Sequence, residues 1–203
     1  MMDLFDFDES RKTVYVLDTE TTGLKLAPTD VVVDIGICEV NLHRGTVKDV
    51  YSEVVGYDVD SWNEYRRKAW IFDNSDITLD MVRNGKPLEK VCREVLDIVG
   101  GKNVTAYNTD YDLRGFLYRE PWDLKGEFIE CTDIMKAATD VCKIKSEFYN
   151  AYRYPKLDYA YAKILKGEDP AGIHGKQEHR ALSDARMASH LMISMHRSRD
   201  YRL

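Results

Sequence analysis

Short apolar runs and longer stretches of helical periodicity divide the chain. Thr13–Leu17 (TVYVL) is a β-branched and aromatic run that reads as a buried strand ending at Asp18. A second strand is expected over Val31–Leu42 and a third over Thr46–Val55, with His43, Arg44 and Gly45 forming the hairpin turn between them. Residues 58–74 read as a short helix carrying Trp62, Tyr65 and Trp70. Pro87 then opens a helix whose Leu88, Val91, Cys92, Val95, Leu96 and Val99 share one face, and Gly100 and Gly101 stop it. Asn103–Tyr107 is a fourth strand, followed by a helix over about residues 110–118. Glu127–Cys131 reads as a fifth strand, and helices follow near residues 133–143 and 157–165. The last helix, about residues 180–197, turns Ala181, Ala185, Ala188, Leu191, Met192 and Met195 inward. Three strands joined by short turns, then two interleaved with helices, predict one α/β domain: a mixed five-stranded sheet flanked by helices.

Composition narrows the function. With 203 residues, 44% hydrophobic and 32% charged, the chain is long and apolar enough for a substantial core and is no disordered tail. Its 29 Lys and Arg against 35 Asp and Glu give a formal net charge of -6. That excludes a protein that coats nucleic acid by charge alone, but not an enzyme that borrows positive charge from bound metal. Cys38, Cys92, Cys131 and Cys142 form no C-x-x-C pair, so reduced thiols are expected rather than a zinc site or a disulfide framework. The opening MMDLFDFDES carries acids where a secretory signal would carry Lys or Arg. No apolar run approaches the roughly 20 residues that span a bilayer. The chain reads as soluble and cytoplasmic, with residues 1–11 as an acidic lead-in and 198–203 as a short tail.

Three segments concentrate chemistry. In VYVLDTETTGL, Asp18 and Glu20 lie two apart, so on a strand they project from one face and repel unless a cation sits between them. A hard divalent ion such as Mg²⁺ suits such a pair; the plainer role is to end a strand in a polar turn. In TAYNTDYDLRGFL, Asp110 and Asp112 stand where strand gives way to helix. Taken alone, that segment favours Thr109 as a cap with an acid in the first turn. In HRALSDA, Asp184 shares the inward stripe of Ala181, Ala188 and Leu191, a costly place for an acid unless it is paired or holds metal. An ion pair with Arg180 is the bland alternative, and His174 competes with His179 as the nearby histidine.

Together these blocks resemble the DEDDh superfamily of 3′-5′ exonucleases, the DnaQ-like proteins. Asp18-Thr19-Glu20-Thr21-Thr22-Gly23 matches its first motif, Asn108-Thr109-Asp110-Tyr111-Asp112 its second, and His179 with Asp184 its third. Arg180 stands where the sister family has tyrosine. Val33-Asp34-Ile35-Gly36 is a lesser likeness, and Tyr107 and Thr109 depart from the usual residues. The resemblance covers about residues 13–195 and makes Asp112, not Asp110, the motif acid. It implies a ribonuclease H-like fold, with residues 12–197 as the exonuclease domain.

It further implies two divalent cations, Mg²⁺ or alternatively Mn²⁺. Asp18 would bridge both, Glu20 and Asp184 would hold the ion that presents water, and Asp112 would serve the second. His179 would take the proton of the attacking water, releasing nucleoside 5′-monophosphates from a 3′ end. Thr21, Thr22, Leu24, Asn108 and Tyr111 are the expected substrate contacts, with Leu24 and Tyr111 packing on the terminal bases. The implied partner is the 3′ end of single-stranded DNA, with RNA as the alternative and a silent nucleic-acid- or polymerase-binding domain as the third reading. No membrane partner is expected, and the reading leaves room for a homodimer or a polymerase or repair assembly. Tyr65, Arg66, Arg67, Lys68 and Trp70 form a basic-aromatic cluster that could guide a strand inward; the preferred reading is an amphipathic helix with the Trp buried and the basic residues in solvent.

Overall fold

The structure is a computed structural model that describes residues 12–147, 149–174 and 177–203. The acidic lead-in lies outside the described residues. Six strands form one mixed sheet: β1 (Thr13–Thr21), β2 (Val32–Asn41), β3 (Thr46–Gly56), β4 (Lys86–Pro87), β5 (Asn103–Ala106) and β6 (Ile129–Glu130). Their order across the sheet is β4-β3-β2-β1-β5-β6. The hairpin neighbours β1, β2 and β3 run antiparallel; β5 is parallel to β1, β6 to β5, and β4 to β3.

The strand beyond the expected five is β4. Pro87 fits a helix start in sequence, yet Lys86 and Pro87 pair with Val55 and Gly56 before the helix begins. Glycine makes this edge possible: a Cβ on Gly56 would meet the Gly85 carbonyl oxygen at 2.4 Å. Proline is tolerated there because an edge strand need not donate on both sides.

Among the described residues, eight α-helical segments accompany the sheet: α1 (Glu64–Arg67), α2 (Trp70–Asn74), α3 (Leu79–Arg83), α4 (Leu88–Val99), α5 (Thr109–Tyr111), α6 (Ile134–Cys142), α7 (Leu157–Ile164) and α8 (Ala181–Arg197). Strand alternation sorts the core into two layers. Val14, Val16, Cys38 and Val40 pack against Ala185, Ala188, Leu191 and Met192 of α8 and against α6 and α7. On the opposite face Leu17, Ile35, Ile37 and Val104 pack against Val91, Val95 and Val99 of α4 and against Leu113, Phe116 and Leu117.

Two expected helices differ. Residues 58–74 form a 3₁₀ turn (Val59–Ser61) and the separate α1 and α2, with α3 following. Trp62 is buried, but Trp70 is 58% exposed, contrary to the expected buried face. The basic residues there brace the fold: Arg66 donates to the carbonyls of Pro28 and Thr29, Arg67 to those of Val59 and Asp60, and Lys68 pairs with Glu64. The helix expected over residues 110–118 is α5 running directly into a π turn, Asp112–Leu117. The chain end also folds back, burying Tyr201, whose hydroxyl donates to the Thr132 carbonyl at 2.8 Å.

Candidate active site

β1 continues past Leu17 to Thr21, so the alternation that buries Val14 and Val16 carries Asp18 and Glu20 onto the same face, under α8. Asp18 lies opposite Gly36 of β2. The first turn of α8 crosses directly over that glycine, where a Cβ would stand 2.2 Å from the Leu182 nitrogen. Asp34, two residues earlier on β2 and fully buried, anchors the helix start. Its carboxylate accepts from the Ala181 N–H (3.1 Å) and from Arg180 Nε (2.8 Å), and Arg180 also reaches Asp76 (3.2 Å). Arg180 is therefore committed to Asp34 and Asp76.

Asp184 lies one turn into α8, buried beside Glu20. One of its oxygens accepts from the Gln177 side-chain amide. The other, Oδ1, is the single buried side-chain nitrogen or oxygen among the described residues without a hydrogen-bond partner. Such an orphan in a well-satisfied fold marks a ligand position.

Asp112 arrives from the opposite layer. Asn108 caps α5 by accepting from the Tyr111 N–H (3.3 Å), and Thr109 is fixed by Asp133, which accepts from its N–H (2.8 Å) and hydroxyl (3.0 Å). The π turn then starts at Asp112; such irregular turns are frequent at functional sites. The buried Asp112 Oδ1 accepts from the Thr19 N–H (3.1 Å) and hydroxyl (2.6 Å). Thr19 thus joins the two acid segments, with Asp18 and Glu20 on the other side of its strand. Asp110 is exposed and paired with Arg114 (2.6 Å) and Lys136 (2.7 Å), outside the cluster.

His179 precedes α8 with a left-handed φ of 53°, a conformation that histidine visits rarely and that persists when the surroundings enforce it. Its ring meets Trp70 edge-on, centroids 4.9 Å apart. Glu20, His179 and Asp184 each bring one potential ligand atom within 4.8 Å of the others. His174, the competitor, is exposed.

Burial raises every acid of the cluster, and repulsion from the others adds to it at Asp18 and Glu20. Desolvation, then the charges of Asp112, Asp184 and Glu20, hold the Asp18 carboxyl well above the usual range. Burial and Asp184 push Glu20 up to about 9. Burial raises Asp112 to about 7 against the pull of the Thr19 hydrogen bonds, and Asp184 to about 7 against that of Gln177. Four such carboxyls, one oxygen unsatisfied, and an adjacent imidazole fit a divalent cation site of hard oxygen and nitrogen donors.

The expected substrate contacts divide into two groups. Leu24, 84% exposed, lines one cleft with Asn108, Trp70 and His179. Thr22 is buried, donating to Asp30 (2.9 Å) and accepting from the Val31 N–H (3.1 Å). The Thr21 and Tyr111 hydroxyls and the Gly23 carbonyl lie within hydrogen-bond distance of one another, two protons shared among three oxygens, while the Tyr111 ring packs on Phe116. These three brace the loop after β1; Leu24 is left exposed by it. Sequence reasoning missed Thr19, Asp34 and Trp70. A lone acid within the apolar run VVVDIGIC was a visible signal for Asp34; the exposure of Trp70 had none.

A family model described as exonuclease, of the RNase T type, matches residues 15–192. The chain belongs to this exonuclease family. Curated relatives are DNA polymerase III PolC-type proteins. That of Lactococcus lactis is 30% identical over 112 residues, 55% of this chain, and that of Thermotoga petrophila 26% over 189 residues, 93% of this chain. The chain spans 6% and 12% of their respective lengths. Among solved structures, the nuclease domain of 3′hExo, a DEDDh family member bound to rAMP, superposes with a TM-score of 0.64 at 16% identity, covering 94% of this chain and 95% of that one. E. coli Exonuclease I in complex with a dT13 oligonucleotide gives 0.61 at 16% identity, covering 93% and 41%. This is the ribonuclease H-like exonuclease fold, with six strands in the sheet.

Proposed function

We infer that the protein is a 3′-5′ exonuclease that releases nucleoside 5′-monophosphates from the 3′ end of single-stranded nucleic acid, with DNA favoured. The observation that carries this reading is that Glu20, His179 and Asp184 stand within ligand reach of one another at an unsatisfied Asp184 oxygen, while Asp18 and Asp112, from two further points of the chain, act on the same cluster by charge. A silent binding domain has no use for four carboxyls gathered in one place with their pKa values raised together. Similarity to DNA polymerase III PolC-type chains supports DNA, a polymerase setting and a cytoplasmic location. RNA is the second reading, motivated by the rAMP-bound neighbour.

Asp18, Glu20 and Asp184 would hold one divalent cation and Asp18 with Asp112 a second, Mg²⁺ or Mn²⁺. When bound, the pair supplies positive charge for an in-line displacement at phosphorus. The chain's own contribution is orientation. Thr19 fixes the Asp112 carboxylate from its Oδ1 side, and Gln177 fixes Asp184 so that its Oδ1 faces the site. Asp34 and Arg180 hold the first turn of α8, and with it both Asp184 and His179. His179 accepts the proton of the attacking water at a ring nitrogen, a role suited to an imidazole near neutral pH. Leu24 and the Asn108 end of the cleft receive the terminal nucleotide.

Matched 5′-labelled DNA and RNA single strands, incubated with Mg²⁺, Mn²⁺ or EDTA, separate the readings. A metal-dependent ladder shortening from the 3′ end, faster on DNA, is expected. A faster RNA ladder moves the substrate to RNA, and no cleavage of either strand returns the silent binding domain.

A further inference from the structure

Between α6 and α7 the chain makes a small excursion that the site does not use. Lys145 and Tyr152 form an antiparallel bridge, the Ser146 N–H donates to the Ala151 carbonyl (3.0 Å) and the Arg153 N–H to that of Ile144 (2.9 Å). The arms of this hairpin are therefore fixed by backbone bonds rather than by the long side chains that they carry. They are aromatic and basic: Tyr152, Tyr154 and, at the start of α7, Tyr159 are exposed, Tyr154 by 59%. Lys143, Lys145 and Arg153 are exposed too, and among the described residues none has a carboxylate partner.

Both properties are anomalous for this chain. Its net charge is -6, yet residues 143–163 hold five basic residues against two acidic ones. Large aromatics are normally withdrawn from solvent, and several exposed together mark an interaction surface. Bare aromatics interleaved with unpaired cations are what a single strand requires, since every base has a face to stack and every linkage a phosphate. A docked protein would call instead for a contiguous apolar centre with little charge.

The hairpin also leads into the cleft. Pro155 is tied to the end of β5 by the Tyr107 hydroxyl (2.8 Å), and the next residues, Lys156 and Leu157, line the same cleft as Leu24, Asn108 and His179. Arg153 is three residues from Lys156, so the two lie within about 11 Å along the chain. We propose that Lys145, Tyr152, Arg153 and Tyr154, on the two arms of this hairpin, form a second subsite, which grips the single strand on the 5′ side of the terminal nucleotide and makes cleavage depend on substrate length.

This inference rests on the exonuclease reading, and the test keeps the two apart. Wild type is compared with Lys145→Ala/Arg153→Ala and with Tyr154→Ala on three substrates: the p-nitrophenyl ester of thymidine 5′-monophosphate, a trinucleotide and a 20-mer single strand. On the 20-mer each variant should raise KM about tenfold, the scale of one stacked base or one neutralised phosphate. The double variant should also flatten the salt dependence of KM, by about 0.7 in log-log slope for each phosphate left without its cationic partner. On the nitrophenyl ester, which has no upstream strand, all three proteins should be equal, which also reports correct folding. Tyr154→Phe, which keeps the ring, should restore wild-type KM. Variants that match wild type on the 20-mer overturn the subsite. Wild type that cleaves none of the three substrates overturns the exonuclease reading itself.

Discussion

Thr19 carries a task that its place between two site acids conceals. It points to the face of β1 opposite Asp18 and Glu20, and there its hydroxyl and N–H hold Asp112. A bond of this kind behind a metal-holding carboxylate is commonly worth 10–100-fold in metal affinity or activity. Thr19→Val, nearly equal in volume, should cost about that much in kcat/KM and raise the Mg²⁺ concentration needed for half-maximal rate. Unchanged metal dependence would show that Asp112 is oriented by other means. At this scale the sequence was most informative where spacing dictates geometry: the i, i+2 pair on β1, and Asp184 on an apolar helix stripe. It was silent on Thr19, because a threonine in a strand needs no special reason. It gave no sign of the loop-bracing bonds of Thr22 and Tyr111, which close only in three dimensions.

Among the elements, the crossing of α8 over β2 decides whether the acids meet. Gly36 allows the close approach and Asp34 caps it, so helix and strand are locked where Asp18 passes beneath. Gly36→Ala would drive a methyl group into backbone atoms of Ala181 and Leu182 that cannot swing aside. Overpacking of this kind costs about 1–3 kcal/mol, with a fall in Tm of about 2–4 °C for each kcal/mol in a chain this size. Activity should drop further than stability alone explains, because Asp184 and His179 move with the helix. A variant with wild-type Tm and rate would contradict the locking role. The long elements were legible in the sequence because their periodicities are sustained, as in α4 and α8. The two-residue β4 and the π turn at Asp112 were not, since each is set by tertiary packing rather than by a run of residues.

Across the whole molecule, the acid cluster is a source of instability that a bound cation would relieve. A carboxyl whose pKa is raised in the folded state binds protons more tightly there than in the unfolded chain. Its contribution is most favourable below about pH 4 and is lost as pH climbs through about 7, for Asp112 and Asp184, toward about 9, for Glu20. The metal-free protein should therefore lose stability from these groups as pH rises from about 5 to 8. Mg²⁺ or Mn²⁺ at about 100 times Kd should restore about 2.7 kcal/mol at pH 8, or roughly 5–10 °C in Tm, and less at pH 5, where protons compete. A thermal melt at both pH values checks this; a Tm indifferent to either ion at pH 8 would contradict it. The mixed sheet flanked by helices was legible as a whole, because short turns join the early strands and helical patterns separate the later ones; its strand order was not. The exposed tyrosines of residues 149–159 carried no such signal, because exposure belongs to the folded surface.

The most direct test of the central claim is the product of a single strand labelled at both ends, cut by wild type and by Asp18→Asn in Mg²⁺. Wild type should release 3′-terminal nucleoside 5′-monophosphate first, and Asp18→Asn should slow that release by at least about 100-fold, the scale of removing one preorganised electrostatic group. The variant should fold normally and, without metal, lose less stability than wild type as pH rises, since a carboxyl held well above the usual range has left the cluster. Release from the 5′ end, a 3′-phosphate product, or a fully active Asp18→Asn protein would contradict the account.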